Sequence, residues 1–445
     1  MSHSSYKPSV SEVFSVFREI FSRRLLKEWL KVIGGRFYWR LFTPLIMLWG
    51  FIYQRLSADH TCDAALSHLQ TGAVDNLDLA DTHPAPLSKR INSNNTAGYV
   101  QGRNRLPLEL LKRALSYISE VVRGWLKEEE QHWKGHAVRF LDGSTVRTRP
   151  FGDLKDHYGQ PTNQHKAAYW VVVQVTAAFC LFSETLVSVA NASYATSETA
   201  LVRSVMEQEP IEGAIYIADQ GFGIYRTAQV AQHLGHLVIL RIQKQTARRL
   251  RKLAGKKNPL CSGDDLEVNW VPTATNKSED DLPLEAIRGR LIYVRLQKDG
   301  FRPIDLYIFT TLLDKQIYSL DEIVELYGLR NNIETNLRHI KTTLQMENIE
   351  VKSVAMLQKE LVAGLLTYNL IRALMVKAAL KHGKNLHRLS FAKCWRRIRD
   401  AIIQGVPAWV MEQGTLLEHL LSQLANCLLA NQPNKIKYEP RRVRR

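Results

Sequence analysis

Apolar residues recur at helical spacing from the start of the chain. Val13, Phe14, Phe17, Ile20, Phe21 and Leu25 predict a helix within residues 9–33 that breaks at Gly34-Gly35. A second helical stretch covers 36–55, and a third begins near Ser57, a suitable N-cap, and stops at Gly72. Between 83 and 106 the composition shifts to Pro, Ser, Asn and Gly with interspersed Lys and Arg, which predicts a basic linker or extended arm. Pro107 then opens a helix running through Trp125 to Glu130.

From His136 the period changes to that of strands. Val138, Phe140 and Leu141 lead to Asp142 and Gly143, so an acidic residue sits where a buried strand gives way to a turn. The β-branched run 169–176 and the run 184–189 complete a predicted antiparallel meander. A helix over 198–206 follows. Ile215, Tyr216 and Ile217 then form a short strand, with Asp219 just past its end and Gly221 and Gly223 behind it. A helix over 225–233 and a strand over 237–242 close a β-α-β segment. Beyond it comes a basic cluster that includes Lys244, Arg248 and Arg249, followed by strand-like runs 266–271, 288–296 and 304–311 with no helix among them. Residues 244–313 therefore read as a β-rich insertion.

The stretch 319–345 reads as one helix. Ser319 with Glu322 three residues on is a capping box, and Ile323, Val324 and Leu326 supply its apolar side. A second, polar stripe of Tyr327, Arg330, Glu334, Arg338 and Lys341 has spacings of 3, 4, 4 and 3, which puts all five on one face. Taken alone, such a stripe is accounted for by a solvated face laced with i,i+4 ion pairs. Residues 354–380 predict a helix apolar nearly all round, buried between neighbours, and 390–403 and 415–429 predict two more before a basic tail, KIKYEPRRVRR.

Composition narrows the classes. At 445 residues, 45% of them hydrophobic, the chain is long enough for two to four packed domains. Sixty Lys and Arg against 43 Asp and Glu leave a net charge of +17, more than solubility requires, so a polyanionic partner is expected, nucleic acid ahead of an anionic membrane surface. The longest apolar run, 41–53, contains Pro44 and falls short of the ~18 residues of a spanning helix, so no membrane association is expected. The first residues lack the layout of a signal peptide. Five scattered cysteines without a Cys-x-x-Cys pair fit reduced packing residues and argue against structural zinc. The expected location is cytoplasmic.

The chemistry lies in a conjunction. Strand-end Asp142, strand-end Asp219 and helical Glu334 could meet at one sheet edge with a helix across it. Three anions crowd together only with compensation, because each raises the pKa of the others, and divalent cations are the natural remedy. Oxygen-lined sites with two Mg²⁺ ions ~3.5–4 Å apart serve phosphodiester chemistry, one cation at the attacking and one at the leaving oxygen. Arg330, Arg338 and Lys341 would then hold phosphates. Taken singly, an Asp at a strand-to-turn junction is ordinary turn chemistry.

At these residues the sequence resembles the bacterial cut-and-paste DDE transposases of the insertion-sequence four family. Their helix signature, Tyr-x2-Arg-x3-Glu-x6-Lys, is met at Tyr327, Arg330, Glu334 and Lys341; FLDGSTVRT resembles the first-aspartate motif and IADQGFG the second. The likeness runs over 136–380, with LLTYNLIRALM resembling the helix after the signature. It implies an α/β, RNase H-like core, a mixed sheet flanked by helices, interrupted by the β-rich insertion. The domains expected are an N-terminal helical DNA-binding domain (1–82), the linker (83–106), the core (107–243 and 314–380) around the insertion (244–313), and C-terminal helices with the tail (381–445). It implies Asp142, Asp219 and Glu334 as ligands of two Mg²⁺, with Mn²⁺ able to substitute, and Tyr327, Arg330 and Lys341 as DNA contacts. An insertion aromatic, Tyr307 or its rival Trp270, would stack on a flipped base, and either equally suits a packing role. Gln220 stands where many relatives have Arg; Arg226 or Lys244 are candidate substitutes. The implied function is a transposase that binds terminal inverted repeats, cleaves through a hairpin, joins the element to target DNA, and works as a homodimer on double-stranded DNA at the bacterial nucleoid. A silent DNA-binding regulator and a plain metal-dependent nuclease remain as alternatives.

Overall fold

The computed structural model describes residues 12–34, 37, 39–75, 77–78, 81–162, 169–273, 282–297, 300–403 and 416–429, with backbone alone at 12–14, 331–334, 403, 416–417 and 419. The chain divides into two compact units. One comprises the described parts of 1–126, 151–153 and 339–430; the other comprises 127–150 and 154–338.

The first unit is helical. The apolar stretch at the start folds as two helices, Glu12–Ile20 and Arg23–Ile33, because Ser22 interrupts it as an N-cap, its hydroxyl accepting from the Leu25 N–H at 3.2 Å. Thr43 and Thr61 cap the helices Pro44–Leu56 and Cys62–Gln70 in the same way. The expected linker 83–106 is a correction: it carries helices Leu87–Arg90 and Ala97–Arg105, and its Tyr99 and Arg103 are buried. The physical reason is a buried carboxylate that composition does not reveal. Glu360, on the helix Val354–Lys381, pairs with Arg103 and with Arg55, whose Nη2 lies 2.6 Å and Nε 3.0 Å from Glu360 Oε2. Burial pushes the Glu360 carboxyl up, but the two guanidinium groups outweigh it and hold the group below the usual carboxylate value.

Val354–Lys381 is long and apolar enough to cross a membrane, yet 94% of its most apolar stretch is buried. Leu108–Gly124, Pro44–Leu56, Phe391–Ile403 and Leu416–Ala425 pack around it. The basic tail lies outside the described residues.

Among the described residues the second unit is built on one eight-stranded mixed sheet with helices. Its strands are β1 (Val138–Thr148), β2 (Val171–Cys180), β3 (Leu186–Ser193), β4 (Ile215–Ala218), β5 (Leu237–Arg241), β6 (Asp264–Trp270), β7 (Ile287–Leu296) and β8 (Ile304–Thr310). Their order is β3-β2-β1-β4-β5-β8-β7-β6. The meander β1–β3 is antiparallel as expected; β1, β4 and β5 run parallel, as the crossover helix Tyr225–His233 between β4 and β5 requires. The insertion strands extend this same sheet, because β8 pairs antiparallel with β5. Its basic cluster forms a helix, Lys244–Leu253, with Ala247 and Leu250 buried.

Two buried arginines brace the sheet. Arg139 of β1 and Glu209 are each 0% exposed and bidentate at 2.7 and 2.8 Å, with the Tyr216 hydroxyl donating to Glu209 at 3.3 Å. Arg290 of β7 pairs with Asp265 and donates to the carbonyls of Leu312 and Tyr318 at 3.0 and 2.7 Å, fastening the chain that enters the Ser319 helix to the insertion.

The stretch 319–345 is not one helix. Its capping box forms as expected, with Ser319 N–H donating to Glu322 Oε2 at 3.1 Å, but the helix ends at Leu320–Gly328. The Leu329 and Arg330 N–H groups donate to the carbonyls of Leu326 and Tyr327, three residues back, which tightens the turn before Asn331–Arg338. A π-helical turn, His339–Thr343, follows and belongs to the helical unit. The stretch that carries the polar stripe is therefore divided between two helical segments and a π-helical turn.

Removing one partner of a buried ion pair leaves the other charge uncompensated. Glu360→Ala is expected to destabilise the helical unit by about 3–5 kcal/mol, read as a shift of the denaturation midpoint of the full chain followed by tryptophan fluorescence.

Candidate active site

Parallel pairing carries two carboxylates to one edge. The β1–β4 register ends at Leu141↔Ala218, so Asp142 and Asp219 are the next residues on adjacent strands. Asp219 lies past its strand, as expected. Asp142 does not: β1 continues to Thr148 because β2 pairs with it throughout, Asp142 lying opposite Ala177. The strand-to-turn reading of Asp142 is thus corrected, although the residue still stands where the parallel neighbour stops.

Each carboxylate has one oxygen held by backbone. Asp142 Oδ1 accepts from the Gly143 N–H at 2.9 Å; Asp219 Oδ1 accepts from Gly221 at 2.9 Å and Phe222 at 3.3 Å. This turn packs closely, since a Cβ on Gly223 would overlap the Arg241 carbonyl. The second oxygens share a cation. Arg330 Nη1 lies 3.9 Å from Asp142 Oδ2 and Arg330 Nη2 lies 3.9 Å from Asp219 Oδ2. The tight turn between the two helical segments is what delivers Arg330 there. Tyr327 is buried and hydrogen-bonded to Arg330; burial raises its hydroxyl pKa, against the lowering charges of Arg330 and Arg241.

Asp142 is pushed up to about 6, first by burial, with Asp219 and Glu198 adding to the rise and Arg330 and the Gly143 N–H opposing it. Glu198 is the residue that sequence reasoning passed over. Following Ser197 in SETAL, it reads as an ordinary helix start, and nothing local marks it as a neighbour of Asp142.

Glu334 lies on Asn331–Arg338, a segment that packs against β1; its side chain is outside the described ones. Arg338 is exposed, and Lys341 sits half-buried in the π-helical turn of the other unit. Lys244 and Arg248 are exposed on the basic helix, whereas Arg249 donates to the Val271 carbonyl at 3.3 Å. Both insertion aromatics are packed among other rings. Trp270 is 2% exposed, edge-on to Phe309 at 4.7 Å, and Tyr307 is 9% exposed, stacked on Tyr293 at 4.7 Å. With so little surface, neither ring offers a face to a base in this conformation. Arg226 donates to Gln229 on its own helix.

Among the described residues no three His, Cys, Asp or Glu side chains group as a metal centre. The donor set of Asp142 and Asp219 nevertheless suits a hard divalent cation: two carboxylates turn their outer oxygens toward one positive charge, supplied by a guanidinium.

The raised pKa of Asp142 has a stability consequence. In the unfolded chain the group titrates near 3.8, so its folded ionisation costs nothing below that pH and the full amount, ~3 kcal/mol at most, above about 6. Asp142→Asn is therefore expected to stabilise the cation-free protein at pH 8, with the gain shrinking as pH falls from 6 to 4, measured by thermal melts in a chelator.

A family profile described as the transposase DDE domain matches residues 133–370. The chain is 25% identical over 301 residues to the transposase InsG of insertion sequence element IS4 from Escherichia coli strain K12, covering 66% of this chain and 64% of that protein. It thus spans less than two thirds of the length of that relative. A piggyBac transposase in a synaptic complex with hairpin DNA, solved by cryo-electron microscopy, aligns over 96% of this chain and 87% of its own, at 11% identity and a TM-score of 0.44. More than half of the chain lies within the matched domain, and Asp142, Asp219 and Glu334 all fall inside it: the chain belongs to the family of the transposase DDE domain.

Proposed function

We propose that the protein cuts and joins DNA at the ends of an insertion sequence, using Asp142, Asp219 and Glu334 in an RNase H-like core. One observation carries the reading: within the transposase DDE domain, two carboxylates just beyond the last paired residues of parallel β1 and β4 turn their outer oxygens toward a shared positive charge. Two Mg²⁺ ions, or Mn²⁺ in their place, would supply the stabilisation of attacking and leaving oxygens when bound.

The side chains of the protein do the rest. Backbone N–H groups fix one oxygen of each aspartate, so the other is preoriented and little ordering cost remains on binding. Arg330 balances the two carboxylates in the free protein, and with a divalent cation bound its guanidinium would be available for a DNA phosphate, with Tyr327 bracing it. Glu334 completes the carboxylate set from its helix. Arg338, Lys341, Lys244 and Arg248 contact the phosphate backbone, as the net charge of +17 favours. The substrates are terminal inverted repeats and target duplex, cleaved through a hairpin, and pairing of two ends calls for a homodimer on DNA.

Glu334→Gln is expected to reduce Mg²⁺-dependent cleavage of a plasmid carrying the element by on the order of 10³-fold or more while DNA binding persists; equal cleavage by both proteins would sink the catalytic reading. Replacing Lys244, Arg248 and Lys252, which is exposed on the same helix, together by Ala should lower the slope of log binding constant against log salt by about 2–3, whereas Arg249→Ala, whose side chain serves the Val271 carbonyl, should leave the slope close to wild type.

A further inference from the structure

Glu198 opens the short 3₁₀ turn Glu198–Leu201, which follows β3. Its backbone and its side chain are both tied to β2. Thr176 Oγ1 donates to the Glu198 carbonyl at 3.0 Å, and Gln174 Nε2 donates to Glu198 Oε1 at 2.6 Å and to the Ser144 carbonyl at 3.3 Å. Thr176 is the register partner of Gly143, and Gln174 that of Thr145. These bonds suspend the carboxylate over the residue next to Asp142. Gly143 has no room for a side chain: a Cβ there would overlap the Glu198 carboxyl group.

An acid in the first turn of a helix ordinarily serves the N–H groups of that turn, for ~0.3–1 kcal/mol. That service requires neither a glutamine clamp from the neighbouring strand nor a bare glycine beneath the carboxylate. Here both are present, and the charge of Glu198 adds to that of Asp219 at Asp142. Concentrating negative charge at a buried carboxylate costs stability unless a cation is bound there.

Resting on the function proposed above, we infer that Glu198 is a positioning residue of the active site: an outer carboxylate that, acting through the Asp142–Gly143 segment, strengthens divalent-cation binding at Asp142 and Asp219. Outer partners of ligating groups typically change metal affinity 10–100-fold.

The test is Mn²⁺ titration of the full chain followed by the paramagnetic resonance of free Mn²⁺, paired with thermal melts in chelator. Glu198→Gln keeps the size and an acceptor for Gln174 but removes the charge; Gly143→Ala keeps the charge but displaces it. Each is expected to raise the Mn²⁺ dissociation constant about tenfold or more, with the melting temperature of Glu198→Gln not lowered. Asp142→Asn is the reference that must lose binding. Wild-type affinity in both variants while Asp142→Asn loses it would overturn the role of Glu198 alone. Unchanged affinity in Asp142→Asn as well would overturn the cation site itself. A lowered melting temperature with unchanged affinity would assign Glu198 to the fold and reject the inference.

Discussion

The site depends on the pairing of β1 with β4. Parallel strands advance together, so the residues just beyond Leu141 and Ala218 emerge side by side, and both are aspartates. Two carboxylates so placed repel each other, and burial of Asp142 compounds the penalty. The protein offsets this with Arg330 between them and with backbone N–H groups on their inner oxygens. A doubly charged cation answers the same electrostatic demand more fully than a guanidinium 3.9 Å from each oxygen.

Precision in that pairing is secured from below and from the side. Arg139, three residues before Asp142, is locked to Glu209 without solvent contact, and Tyr216, its register neighbour on β4, joins the same carboxylate. Misregister would separate a fully buried pair, which is strongly unfavourable. The insertion strands lengthen the sheet instead of forming a separate module, and Arg290 ties them to the carbonyls that precede the Ser319 helix. The segment carrying Arg330 and Glu334 is thereby anchored to the sheet that carries the aspartates.

The helical unit uses the same device. Glu360 draws Arg55 and Arg103 inward and so folds a segment whose composition resembles a solvated arm. Basic residues in this chain thus divide between those neutralising buried acids and those left on the surface, such as Lys244 and Arg248. The second group bears on a polyanionic partner, and the net charge alone does not separate the two.

Strands, the crossover helix Tyr225–His233, the buried helix Val354–Lys381 and the aspartates at Asp142 and Asp219 were legible in the sequence, because period, turn residues and motif spacing are local properties. Tertiary structure decided the remainder. Whether the Ser319 stretch stays one helix depends on tightened bonds at Leu329 and Arg330, and whether 83–106 is a linker depends on Glu360, more than 250 residues away. The neighbourhood of Glu198 and Asp142 follows from pairing among β1, β2 and β3, and the enclosure of Trp270 and Tyr307 from inward-facing strand positions. Local pattern marks which residues are candidates for chemistry; charge compensation between residues distant in the chain fixes where they meet.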